Sequence, residues 1–188
     1  MKSAVKEIEV KAKVKDFKKI LIELNKLGCK LSEPIDQEDS IYLPDGVNFT
    51  EIGMDTNVLR IRKQNDKSLL TLKRNGSGPL VKIEKETVIE NTNQMEEILE
   101  YLGYYQVMKV KKQRIKCDYN GVEICLDDVG GLGTYIELEK ITSDEPLKVQ
   151  EDLLSVLESL GVDINDRVFY GYDILIYFKQ HPEQQNTF

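Results

Sequence analysis

An α+β fold is predicted for this sequence: eight antiparallel strands enclosing a polar, charged interior, with helices packed outside. Three observations predict it. Eight segments alternate apolar and polar residues with period two, as strands do; three others repeat every three to four residues between recognisable helix signals; and the charged strand residues are sorted by sign.

Taken in order, the first strand runs from Val5 to Val14. Asp16 then caps a helix that places Phe17, Ile20, Leu21, Leu24 and Leu27 on one face, and Gly28 stands where a left-handed cap is wanted. Strands follow at Asp36 to Leu43, Val58 to Lys63, Ser68 to Arg74 and Val81 to Glu90. A second helix starts near Asn93, with Met95, Ile98, Leu99 and Leu102 apolar and Gly103 closing it. Val107 to Tyr119, Val122 to Asp128 and Thr134 to Ile141 complete the strands. The third helix begins near Pro146, with Leu147, Leu153, Leu154, Leu157 and Leu160 apolar, and stops at Gly161. Asn75-Gly76 and Asn120-Gly121 are the hairpin signals, because Asn-Gly supplies the positive φ angles of tight primed turns. Glu7-Ile8-Glu9 and Glu137-Leu138-Glu139 each precede an amphipathic helix ending in Leu-Gly, an echo between two parts of the chain. Residues 1–178 are read as a single domain and 179–188, rich in Gln and Asn, as a flexible tail.

Composition narrows the function. With a net charge of −7 and a pI near 5.0, the chain lacks the basic footprint of a nucleic-acid binder. No apolar run approaches the roughly 20 residues of a membrane span, and Lys2, Lys6, Glu7 and Glu9 interrupt any leader-like stretch, so a cytoplasmic protein is expected. Cys29, Cys117 and Cys125 form no C-x-x-C pair and suggest neither disulfides nor zinc. The only histidine, His181, lies near the end, which disfavours Ser-His or Cys-His catalysis. Gly130-Gly131-Leu132-Gly133 is followed by no Lys-Ser/Thr pair and reads as a turn, not a phosphate loop.

Residues i and i+2 of a strand share a face. Glu7, Glu9 and Lys11 therefore oppose Ile8 and Val10; Arg60 and Arg62 oppose Leu59 and Ile61; Thr71 and Lys73 oppose Leu70 and Leu72; Glu84 and Glu86 oppose Ile83 and Thr87. Lys112 and Arg114 share a face, Glu123 and Asp127 oppose Ile124 and Leu126, and Glu137 and Glu139 oppose Ile136 and Leu138. An open sheet with one wet face gives the same alternation. Two details favour an enclosed face: its positions are mostly fully ionised rather than mixed polar, and the signs are segregated, acids on the first, fifth and last strands and bases on the third and sixth. Enclosed charges of both signs need a polyvalent partner. A triphosphate with a hard divalent cation supplies one, since Arg and Lys clamp phosphate oxygens while carboxylates take Mg²⁺ or Mn²⁺.

These residues also carry a family pattern. Glu7-x-Glu9-x-Lys11 resembles the E-x-E-x-K signature of the CYTH superfamily, which holds class IV adenylyl cyclases and thiamine and inorganic triphosphatases. Its companions follow in order: Leu59-Arg60-Ile61-Arg62, Thr71-Leu72-Lys73, Glu84-Lys85-Glu86, Lys112-Gln113-Arg114 and the run from Leu126 to Glu139, with Gly171-Tyr172-Asp173-Ile174-Leu175 similar to the closing S-Y-x-x-L segment. The resemblance implies an eight-stranded antiparallel β-barrel, or tunnel. It implies that Lys11, Arg60, Arg62, Lys73, Lys112 and Arg114 hold phosphates. Glu7, Glu9, Glu84, Glu86, Asp127, Glu137 and Glu139 would hold metal or orient the bases, with Glu7, Glu9, Glu137 and Glu139 foremost as metal ligands. Gln37 to Tyr42 resembles the family's Q-x-D-x-Y strand with one residue added before the tyrosine, which leaves the roles of Asp39 and Tyr42 open.

Two reactions suit such a cavity. A cyclase directs the ribose 3′-oxygen of ATP at the α-phosphorus, and a phosphohydrolase directs water at the terminal one. The Asp127 to Glu139 segment most resembles class IV cyclases, so conversion of ATP to cyclic AMP and pyrophosphate is the leading expectation, with Glu9, Arg60 and Lys73 as catalytic candidates and Lys73 or a metal-bound hydroxide as the base. Triphosphatase activity stands beside it, a non-catalytic triphosphate sensor is the third reading, and the family resemblance suggests a homodimer.

Overall fold

Period-two segments become strands here, and several of them bury an apolar face under a helix. The computed structural model describes residues 6–53, 55–75 and 82–187. Along the chain these form β1 (Lys6–Lys13), α1 (Phe17–Lys26), β2 (Ile35–Pro44), β3 (Val58–Gln64), β4 (Lys67–Asn75), β5 (Lys82–Ile89), α2 (Thr92–Tyr101), β6 (Tyr104–Tyr119), β7 (Val122–Val129), β8 (Gly133–Thr142), α3 (Pro146–Ser159), β9 (Arg167–Val168) and α4 (Tyr172–Gln180). β1 pairs with β8 and β9, β3 with β2 and β4, β4 with β5, and β7 with β8, all antiparallel.

The chain divides into two compact units, Met1–Ile35 with Gln113–Phe169 and Asp36–Lys112 with Tyr170–Phe188, so that β6 changes unit between Lys112 and Gln113. In the first, the strand order is β6-β7-β8-β1-β9. Ile8, Val10 and Ala12 of β1, Ile124 and Leu126 of β7, and Ile136 and Leu138 of β8 form one core with Ile20 and Leu24 of α1 and Val149, Leu153 and Leu157 of α3. Both helices start as the sequence predicts: Asp16 accepts from the Lys19 amide at 3.0 Å, and Glu145 accepts from the Lys148 amide with Pro146 in the first turn. Both end at a glycine with positive φ, Gly28 at 78° and Gly161 at 79°. The two Glu-x-Glu strands that precede these helices pair with one another, Glu9 opposite Glu139.

In the second unit the order is β5-β4-β3-β2-β6. Tyr42, Leu59, Ile61 and Ile89 bury one sheet face against Leu99 of α2, with Leu70, Leu72 and Met95 packed around them. Asn91 caps α2 by accepting from the Gln94 amide at 3.1 Å.

Three features differ from expectation. A ninth strand, β9, adds two residues beside β1. Tyr172–Gln180 is a helix, although it shows no one-sided apolar period, and Lys179 and Gln180, expected in a tail, finish it; Pro182–Thr187 continues as 3₁₀ turns. β6 begins at Tyr104, three residues ahead of the expected Val107. The Asn120-Gly121 turn is present, with φ of 55° and 76°, whereas the Asn75-Gly76 turn falls outside the described residues. Among the described residues no helix is long and apolar enough to cross a membrane.

Candidate functional site

Alternation in β1, β7 and β8 aims Ile8, Ile124 and Leu138 into the core, so their neighbours Glu9, Glu123 and Glu139 must share the opposite face. The register places these three glutamates side by side, Glu9 opposite Glu139 and Glu139 opposite Glu123. One row further, Lys11 stands opposite Glu137. A buried ion chain results. Lys11 Nζ lies 3.1 Å from Glu9 and 3.0 Å from Glu137, and Glu137 also accepts from Arg114. Arg114 in turn grips the fully buried Asp127 with two bonds, one from Nε at 2.6 Å.

Burial alone would push the Lys11 ammonium down, but the Glu137 and Glu9 carboxylates outweigh it and hold it above its ordinary range. Arg114 is held up in the same way by Glu137 and Asp127 against its own burial. Glu139 behaves oppositely. Burial, reinforced by Glu7, Glu123, Glu9 and Glu137, pushes its carboxyl up to about 7.

The second unit carries most of the predicted cations. Arg62 on β3 donates to both oxygens of Asp39 on β2, at 2.7 Å each. Its neighbour Arg60 donates from Nη2 to the Thr71 hydroxyl at 3.0 Å and lies 3.4 Å from Glu86, while Thr71 donates to Glu86 at 2.8 Å. Lys73 pairs with Glu84 at 2.5 Å, and Lys112 Nζ sits 4.9 Å from the centre of the Tyr172 ring. Burial and then Arg62 push Arg60 down. Its Nε is buried with no hydrogen-bond acceptor, one of two such side-chain atoms among the described residues; the other, Gln37 Oε1, belongs to β2 and points from the same strand face.

Thus Glu7, Glu9, Lys11, Arg114, Asp127, Glu137 and Glu139 gather on one strand face of the first unit, and Arg60, Arg62, Lys73, Glu84, Glu86 and Lys112 on one face of the second. The model of the CYTH domain matches residues 5–170. The chain belongs to the CYTH domain family. A Methanocaldococcus jannaschii protein, named provisionally as an adenylate cyclase, is 33% identical over 174 residues, 88% of this chain and 95% of that one. The solved structure of a Pyrococcus horikoshii protein matches with a TM-score of 0.77 at 28% identity, over 90% of this chain and 98% of that chain. A Hippeastrum protein, described as an adenylyl cyclase candidate with a dominant triphosphatase activity, matches with a TM-score of 0.64 over 95% and 96% of the two chains; at 18% identity this likeness is one of fold.

Within the CYTH pattern, the structure resolves two positions left open by the inserted residue of β2. Asp39 joins the polar face as the partner of Arg62, and Tyr42 turns to the opposite, apolar face, where burial and then Glu96 push its hydroxyl up to about 12. Thr71, Glu123 and Tyr172 are further members of these polar clusters that the motif reading had given no role. Their signal was in the register, which alternation within single strands does not contain.

Whether the CYTH carboxylates suit a divalent cation depends on their donor chemistry. Among the described residues no three acidic, histidine or cysteine side chains converge as a ready-made metal site, because Glu9 turns to Lys11 and Glu123 to Lys116. The donors nevertheless fit: they are carboxylate oxygens, burial and then the neighbouring carboxylates push Glu139 up to about 7, and a hard cation would offset that cost as a proton does.

Proposed function

We propose that this chain is a divalent-metal-dependent enzyme acting on triphosphates, and that it converts ATP to cyclic AMP and pyrophosphate. The observation that carries this reading is the buried Arg60 guanidinium, whose Nε has no acceptor on a strand face that also bears Arg62 and Lys73. A buried donor without a partner costs about 1–3 kcal/mol. A phosphate oxygen would satisfy it, and a pair of neighbouring arginines suits a polyanion better than a neutral ligand. The name of the Methanocaldococcus jannaschii relative supports the cyclase form.

In this reading Arg60, Arg62, Lys73 and Lys112, with Lys11 and Arg114, hold and neutralise the phosphates. Mg²⁺ or Mn²⁺ would be held by Glu7, Glu9, Glu137 and Glu139 with Glu84, Glu86 and Asp127 supporting, and would supply charge neutralisation to the triphosphate. The ribose 3′-oxygen attacks the α-phosphorus, the bond to the β-phosphate oxygen breaks with its electron pair leaving on pyrophosphate, and the 3′-proton passes to a base. Lys73 is the proposed base: its ammonium proton passes to Glu84, its ion-pair partner, and the amine so freed accepts the 3′-proton. A single domain and a cytoplasmic setting belong to this proposal.

Hydrolysis of the terminal phosphate is the second reading, and the fold shared with the Hippeastrum protein of dominant triphosphatase activity favours it. Incubation of the purified chain with Mg²⁺ or Mn²⁺ and ATP, tripolyphosphate or thiamine triphosphate separates the readings. Cyclic AMP identifies the cyclase and orthophosphate the hydrolase. Binding without product would make the chain a sensor, and absence of binding would end the proposal.

A further inference from the structure

We propose that Thr71 is a positioning residue: its hydroxyl sets the direction of the Arg60 guanidinium so that the unmatched Nε addresses a phosphate oxygen of the substrate. The inference rests on the triphosphate reading above and adds to it a residue that touches no substrate.

Thr71 is 0% exposed. It stands opposite Arg60 on β3 and opposite Glu86 on β5, in the middle of a three-strand row. A threonine hydroxyl has one proton to donate and lone pairs to accept with. Here it uses both capacities: the proton goes to Glu86 Oε2 at 2.8 Å and the oxygen accepts from Arg60 Nη2 at 3.0 Å. The direct approach of Arg60 to Glu86 is longer, 3.4 Å. The short contacts between the two charges therefore pass through the hydroxyl, which keeps the guanidinium from closing onto the carboxylate as a forked pair.

The consequence concerns Nε. A guanidinium that closed on Glu86 with two parallel bonds would turn its donor edge to β5 and take Nε from its present direction. Threonine is suited to prevent this, because its β-branch restricts χ1 and so fixes where the hydroxyl points. Valine keeps that shape and loses the oxygen. Serine keeps the oxygen.

The test is calorimetric titration with inorganic tripolyphosphate alone, on wild type, Thr71→Val, Thr71→Ser, Arg60→Ala and the Thr71→Val/Arg60→Ala double variant. Thr71→Val should weaken binding about tenfold, the scale of one hydrogen bond to a charged group. Thr71→Ser should stay within about twofold of wild type, and Thr71→Val should add nothing once Arg60 is alanine. Thr71→Ala carries the same comparison should the valine variant not fold. Wild-type affinity in the valine variant, or an equal loss with Arg60 already removed, overturns the role of Thr71 while leaving the triphosphate reading intact. No binding by wild type, or unchanged binding in Arg60→Ala, overturns that reading and this inference with it.

Discussion

Replacing Glu139 by glutamine removes a charge from the middle of the Glu9–Glu139–Glu123 row while keeping the side chain's shape. The folded protein holds this carboxyl at about 7, against an ordinary value of 4.5. Below 4.5 it is protonated in both folded and unfolded chains and contributes no difference. Between 4.5 and about 7 the unfolded chain releases a proton that the folded one retains, so stability falls as pH rises across that window and the penalty is complete above it. At about 1.4 kcal/mol per pH unit the ceiling is about 3.5 kcal/mol; because the side chain is half-buried, solvent screening reduces this to about 1–2 kcal/mol. In metal-free buffer at pH 8, Glu139→Gln should therefore melt about 2–8 °C above wild type. The advantage should vanish at pH 4.5. Millimolar Mg²⁺ or Mn²⁺ should raise the wild-type Tm at pH 8 and move the variant less, since a ligand stabilises only the state it binds. Scanning calorimetry at both pH values decides it. A gap that is absent at pH 8, or equal at the two pH values, would refute the crowding argument.

Glu9→Gln and Arg60→Ala should each lower turnover at saturating metal and substrate by at least about 100-fold; full turnover in either would require the site assignment to be abandoned. Asp127→Ala leaves Arg114 buried beside a single carboxylate and should cost about 3–5 kcal/mol, read as a lower denaturation midpoint. Tyr42→Phe should keep kcat and KM within about twofold, because Tyr42 lies on the apolar face of β2; a larger loss would place it in the chemistry.

The strands were legible because their alternation is nearly uninterrupted, and each of the eight predicted segments is present to within about three residues. Helix ends were legible where a specific residue makes them: Asp16 and Pro146 at starts, Gly28, Gly103 and Gly161 at stops. What escaped notice lacked such a mark. Tyr172–Gln180 presents Ile174, Leu175, Ile176, Tyr177 and Phe178 in succession, so no one-sided period announces a helix. Arg167–Val168 is too short to alternate and forms a strand only because β1 offers an edge.

The site divides along a similar line. Motifs and alternation gave the identities of its charged residues, but each side chain's partner is fixed by register, which joins residues such as Asp39 and Arg62 across two strands. Register also separates charges that explain themselves from charges that do not. In the row Arg60–Thr71–Glu86 the opposite charges lie 3.4 Å apart and share a hydroxyl, so their charge is balanced within the sheet and only the Arg60 Nε is left without an acceptor. In the row Glu9–Glu139–Glu123 like charges stand opposite one another twice, each repulsive by roughly 0.2–1 kcal/mol. The outer two are relieved by Lys11 and Lys116, and the central one takes up a proton in place of a counterion. A sheet under selection for stability alone has simple remedies at that position, threonine or valine among them. In the proposed metal-dependent reading a cation from outside the chain would take the place of that proton, so the carboxylate row is where the metal part of the proposal meets its test.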